Sequence, residues 1–434
     1  MSLFVYFRTL LGSGSLLLAI SAVISKLLSL LRDRGLLEVF DDQALVDAVY
    51  ASFRIPDFFF WLLVSSCVAL TFIPRIQLID KQHYSQFFSS FFWWVFGMMS
   101  IVVLLGQLFL PQLVPLFAGG FDADIQIQIV HLSRYLFISI WFLSLSSVFS
   151  AYLQSQKKFW PIALAPLLYM GSLVIGILFF GSSHGVSAIG LSAIFGAILH
   201  LILLMVVCFG VENLTLVRRW KSPDYAFIGF TGDFLKRVLN GSIFQINQSV
   251  DILIASFLIV GSVTSFSLGT ALGHVLLSIL AFPISHTAFP RLAESQGDTT
   301  AQKKILLQST KWILLFSVPF SVLCALFSEL ILKFVFGLDG DRLFMTDIVF
   351  FWTVLSLPAA CLIPLWSRFF LANNNVSIPL KCNFFALTVA MGLAAYLSLF
   401  VFEGTEAILG LALGNFTANV LNALLFGFLI YRYS

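Results

Sequence analysis

The sequence predicts an all-α polytopic membrane protein, with twelve transmembrane helices arranged as two six-helix lobes. Three observations lead there. Hydrophobic residues make up 59% of the 434 and charged residues 10%, too little charge to keep a soluble chain of this size dispersed. Apolar runs of about 20 residues, the length that crosses a hydrocarbon core, recur from near the N-terminus to near the C-terminus. The punctuation between those runs repeats from the first half of the chain to the second.

The expected spans are 12–31, 53–74, 88–110, 132–153, 161–180, 186–209, 239–260, 266–288, 312–336, 346–369, 379–401 and 406–430. Lipid offers the backbone no water, so runs of this length must close their own hydrogen bonds as helices. A barrel would show short alternating segments instead. The first run continues past Lys26 with no small-residue cleavage site, and reads as a retained span rather than a signal peptide. Placing the N-terminus inside puts seventeen of the 24 Lys and Arg residues on the inner side and five on the outer, a positive-inside pattern with both termini cytoplasmic. The basic residues are scattered over short segments, which argues against nucleic-acid binding.

Span one carries Lys26 and ends in Arg32-Asp33-Arg34. Lys26 and Asp33 are seven residues apart, about 10.5 Å along one helix face. The entry to span two carries Asp47, Arg54 and Asp57, with Arg54 and Asp57 an i, i+3 pair. Pro56 breaks the hydrogen-bond ladder there and predicts a bend. Arginine and lysine beside carboxylates suit an anionic head group, whose phosphate oxygens they can grip while a lipid tail stays in hydrocarbon. The alternative for Arg34 and Asp57 is a salt bridge tying spans one and two together.

Spans two and eight end alike, in Phe72-Ile73-Pro74-Arg75 and Ala288-Phe289-Pro290-Arg291. Spans five and eleven open alike: Tyr152-Leu153 precedes Pro161 by the same offsets at which Phe370-Leu371 precedes Pro379. Matched punctuation at matched spacing predicts two lobes of like orientation, 1–215 and 216–434, divided by the hydrophilic stretch after span six. Transporters built from such repeats hold their substrate between the lobes and rock one against the other.

In span seven, Asp251 lies inside the membrane beside Gln245, Asn247 and Gln248. An intramembrane carboxylate is costly and marks a cation, a proton or a basic partner. Asn415 in span twelve is its candidate companion, a carbonyl-type oxygen suited to a hard monovalent cation. His200, His274 and His286 can relay protons or bond neighbouring helices. Cys67, Cys208, Cys324, Cys361 and Cys382 have no metal-ligand spacing and read as small hydrophobes. No cofactor or metal site is expected.

The segments Ser25-Lys26-Leu27-Leu28-Ser29-Leu30-Leu31-Arg32-Asp33, Val46-Asp47-Ala48 and Phe53-Arg54-Ile55-Pro56-Asp57 resemble the N-terminal signature of the MurJ (MviN) lipid II flippase family. Pro161–Pro166, Ala255–Val263, Gly410–Leu413 and Leu421–Leu425 continue the resemblance in family order over nearly the whole chain. It implies the two-lobed fold of the multidrug, oligosaccharidyl-lipid and polysaccharide exporters. It also implies an undecaprenyl-diphosphate-linked peptidoglycan precursor as substrate, moved from the inner to the outer leaflet of the bacterial cytoplasmic membrane in company with the wall-synthesis machinery. Carried over by position, Arg32 matches a cavity arginine, and Lys26 stands where another basic residue is usual. Asp47 and Arg54 match charged positions of the same region. Asp251 matches an acidic ligand of the family's sodium site and Asn415 its span-twelve ligand, so a sodium ion or a proton is the candidate coupling ion.

The departures are specific. The family's paired arginines of span two fall on Phe60 and Trp61, its following Glu-Gly on Ser65-Ser66, and its cavity arginine of span eight on Ala271. Polar ligands of span eleven fall on Ala390 and Ala394, and twelve spans stand where the family usually has fourteen. An exporter of small cationic or amphipathic compounds, whose cavity aromatic walls would suit, and a non-transporting scaffold in a wall-synthesis complex are therefore the alternatives. A membrane enzyme is disfavoured: catalysis needs converging acids and bases, and the only close acidic residues, Asp47 and Asp57, lie near the outer surface.

Overall fold

The computed structural model describes residues 13–65, 67–212, 214–216, 245–373, 375 and 377–433. Every regular element among them is helical. Among the described residues nine helices are long and apolar enough to cross a membrane, and a tenth span results if the bent pair Gly340–Leu355 and Leu357–Ala372 is taken as one. These ten match ten of the twelve expected spans. The expected first span is the helix α1, Ser13–Val39, which is not among the helices so counted. The expected seventh is described only over its later part, a helix at residues 245–256. His286 lies among residues whose side chains fall outside the described set.

The chain divides into two compact units, Met1–Ser249 and Val250–Ser434. In the first, α2 (Gln43–Phe60) runs into a π-helical turn at Trp61–Ser65 and then α3 (Val68–Ile76). There follow α4 (Tyr84–Ala118), α5 (Ala123–Ser155), α6 (Phe159–Ile175) and α7 (Val186–Val206). Helix α5 is the hub, packing on α2, α3, α4 and α7, while α1 lies along α6. Leu36, Val46, Val49, Leu132, Leu173 and Ile189 join these helices in one core. Leucines and phenylalanines such as Leu104, Leu116 and Phe179 stay exposed on the spans, as suits helices whose surroundings are hydrocarbon rather than water.

The helix α2 runs unbroken through Pro56. A proline lacks the N–H that would bond the carbonyl four residues earlier. Here that carbonyl belongs to Ser52 and accepts instead from Ser133 Oγ on α5, at 3.0 Å. The break comes five residues later, as the π-turn.

In the second unit, α8 (Ser262–Leu280) and α9 (Phe282–Glu294) are followed by α10 (Thr299–Leu326) and α11 (Ser328–Phe336). The bent pair α12 (Gly340–Leu355) and α13 (Leu357–Ala372) comes next, then α14 (Ser377–Tyr396) and α15 (Ile408–Tyr433). The 47° bend falls at Ser356, two residues before Pro358. That proline frees the Val354 carbonyl, which accepts from Ser321 Oγ on α10 at 2.5 Å. Both units thus treat an intramembrane proline in the same way, with a serine from a neighbouring helix.

The repeated punctuation reappears as repeated structure inside each unit. Pro161 is the third residue of α6 and Pro379 the third of α14, where a proline costs no helix hydrogen bond. Each helix ends in a π-turn, Gly176–Phe180 and Leu397–Val401. Each is then met closely by the next long helix through glycine. A Cβ on Gly196 of α7 would stand 3.0 Å from the Tyr169 carbonyl oxygen, and one on Gly414 of α15 would stand 2.6 Å from the Ala394 Cβ. Small residues of this kind let backbones approach where no hydrophobic force between helices exists.

Candidate functional site

Four of the sequence-predicted charged residues come from α1 and α2, and the fold of the first unit gathers them. Asp33 is 1% exposed, an arrangement a carboxylate tolerates only with charged or hydrogen-bonding company. Its Oδ1 receives Arg32 Nη2 at 2.5 Å, Arg32 Nε at 3.0 Å and the Tyr50 hydroxyl from α2 at 3.0 Å. The Arg32 guanidinium also lies over the Phe53 ring, 5.7 Å from its centroid. Arginine carries five N–H donors in a planar fork, and Asp33 engages one edge of it.

One face of α2 continues the network. Arg54 donates from Nη1 to Gln248 Oε1 at 2.7 Å. Asp57, half-buried one turn on, lies within electrostatic reach of both Arg54 and Arg32. Tyr169 of α6, hydrogen-bonded with Ser139, lies within electrostatic reach of Asp57 and Arg32. Asp47 is buried at 1% exposure and acts on Tyr50. Lys26 is exposed on α1 and interacts electrostatically with Arg32 and Asp33, as the shared helix face predicts. Arg34 turns away and pairs with Glu38 at 2.7 Å on the surface. Asp57 therefore belongs with the arginines, and Arg34 is a local surface ion pair.

The result is a mixed cluster, two arginines and a nearby lysine against three carboxylates, with Tyr50 hydrogen-bonded to Asp33. Charges held in low dielectric act strongly on whatever enters. A diphosphate arriving here would meet guanidinium groups already oriented by Asp33 and Gln248. Sequence reading missed Tyr50 and Tyr169 and gave Gln248 to Asp251 rather than to Arg54. Tyr50 had a visible signal, since it lies between Asp47 and Arg54 at spacings of three and four. Tyr169 had none, being one polar group in an apolar run.

In the second unit Asp251 is half-buried on the helix at 245–256. Asn415 donates to Thr353 Oγ1 at 3.4 Å and accepts from Asn419 at 3.5 Å. Asn419 also donates to Ser356 Oγ at 3.0 Å, and Asn422 donates to Asn383 Oδ1 at 2.7 Å. Asn415 is thus the first member of an amide ladder along α15, facing α12 and α14. Ala390 and Ala394, at the positions of the expected span-eleven ligands, are buried against α15. Among the described residues no three His, Cys, Asp or Glu side chains gather closely enough to hold a metal ion. In the first unit His200 Nδ1 bonds Ser146 Oγ on α5, the helix-bonding alternative for that residue.

The fold and its sequence are shared with known proteins. A solved lipid II flippase MurJ in an inward closed conformation superposes with a TM-score of 0.81 at 21% identity, covering 96% of this chain and 87% of that one. A multidrug resistance MATE family transporter in an inward-facing conformation gives 0.79 at 14% identity over 94% and 95%. The probable lipid II flippase MurJ of Rickettsia prowazekii (strain Madrid E) is 24% identical over 395 residues, 88% of this chain and 77% of its own length. That of Buchnera aphidicola subsp. Acyrthosiphon pisum (strain APS) is 25% identical over 437, covering 95% and 82%. The sequence model of the lipid II flippase MurJ family matches residues 37–433, and the chain belongs to that family.

Proposed function

We propose that the chain moves the undecaprenyl-diphosphate-linked peptidoglycan precursor, lipid II, from the inner to the outer leaflet of a bacterial cytoplasmic membrane, making and breaking no covalent bond. Family membership supports the substrate class. The observation that carries the assignment to residues is the cluster in which Tyr50 holds Asp33, Asp33 holds Arg32, Gln248 holds Arg54, and Lys26 and Asp47 stand close by. In this reading the guanidinium groups grip the diphosphate, and alternating access of lobes 1–215 and 216–434 exposes the head group outside. Both termini are cytoplasmic. Asp251 and Asn415 bind the coupling cation, sodium or proton, and the wall-synthesis machinery receives the product.

Complementation tests the reading. In cells depleted of their own lipid II flippase, the wild-type chain should restore growth and Arg32→Ala should not. Full rescue by Arg32→Ala at equal membrane abundance counts against it. The second reading, export of small amphipathic cations, draws on the aromatic pair Phe60 and Trp61, whose rings meet edge to face at 6.4 Å. Under that reading, loss of the protein would shift drug sensitivity while wall synthesis stays normal.

A further inference from the structure

Asp47, Tyr50, Arg54, Asp57 and Trp61 are spaced three and four residues apart in strict alternation. That is the spacing that keeps side chains on one stripe of a helix. The first four are the polar residues of α2 already placed in the network: Tyr50 is bonded to Asp33 of α1, and Arg54 to Gln248 of the helix at 245–256. Tyr50 and Arg54 therefore face other parts of their own unit. Exposure grows along the stripe, from Asp47 at 1% to Trp61 at 48%. Trp61 is also where the α-helix gives way to the π-turn Trp61–Ser65, an irregularity frequent at functional sites.

An indole in that place has chemistry the rest of the stripe lacks. Its face is electron-rich and flat, and its N–H is a donor at the rim. A sugar ring offers the complement: C–H bonds on one face, hydroxyls at the edge. Trp61 lies seven residues beyond Arg54, about 10.5 Å along the helix axis, so a platform stands one head-group step from a phosphate grip. Phe60, packed edge to face against the indole, holds it in place.

We infer that Trp61 is a specificity-determining residue, a platform on which the first sugar ring of a diphosphate-linked glycolipid stacks while Arg32 and Arg54 hold the phosphates. This rests on the flippase reading and adds how sugar is told from bare lipid diphosphate. The purified full chain in nanodiscs tests it with two ligands, undecaprenyl diphosphate without sugar and lipid II, against wild type, Trp61→Ala, Trp61→Phe and Arg54→Ala. Trp61→Ala should weaken lipid II roughly fivefold, the size of an aromatic contact, and leave the sugarless lipid unchanged. Trp61→Phe should keep most of the affinity, and Arg54→Ala should weaken both ligands. A Trp61→Ala protein that loses both ligands equally, or neither, overturns the platform and leaves the flippase reading standing. Wild-type protein that binds neither ligand overturns both.

Discussion

Asp33 accepts from its sequence neighbour Arg32 and from Tyr50 of the next helix, so Tyr50 steadies the carboxylate that sets how Arg32 points. Removing the Tyr50 hydroxyl by Tyr50→Phe deletes one bond to a buried carboxylate, and thermal unfolding in detergent should show a loss of about 1.5–3 kcal/mol, the range for bonds to charged groups. Arg32→Lys should fail where Arg32 succeeds, because a lysine offers a point charge and no fork. Complementation at matched expression would measure that. The charges themselves were legible in the sequence, since Lys26, Arg32, Asp47 and Arg54 interrupt apolar runs where lipid forbids charge. Their partners were not. Arg54 meets Gln248 across 194 positions, and no spacing rule reaches that far. In the sequence Trp61 stands as a lost cavity charge and as an aromatic wall for cations, and its place at the exposed end of a polar stripe adds another use.

At the level of helices, two prolines were visible and their consequences were not. Pro56 and Pro358 each free a carbonyl, at Ser52 and Val354, and Ser133 and Ser321 supply the missing donors. Yet α2 stays continuous, while α12 and α13 bend by 47°. Ser133→Ala and Ser321→Ala should each lower stability by about 0.5–1.5 kcal/mol, read from melting in detergent, with added water entering α2 or α12 by hydrogen exchange. The close helix pairs are more demanding. Gly414→Leu would drive a side chain into Ala394, whose Cβ already stands at 2.6 Å from the position a Cβ would take. The expected cost is about 1–3 kcal/mol or more, seen as lost monodisperse protein. Gly414 gave no signal in the sequence, because a glycine in an apolar run looks the same whether or not a neighbour leans on it.

For the molecule as a whole, hydropathy and repeat were the strongest signals. Ten expected spans stand as helices long and apolar enough to cross, and the paired features of α6 and α14 carry the repeat into three dimensions. If Asp251 and Asn415 couple transport to a cation, Asp251→Asn should abolish the dependence of flipping on sodium or on pH while lipid II binding in nanodiscs stays intact. Flipping that keeps its ion dependence in Asp251→Asn would remove that coupling. The join at Ser356 has a wider consequence. Its hydroxyl bonds the Thr353 carbonyl and accepts from Asn419, while Ser321 caps the orphan left by Pro358. An elbow clasped by three side chains, beside the main-chain bonds that Ser356 makes to Trp352 and Ala360, has a resting angle that evolution can retune one substitution at a time without rebuilding either limb.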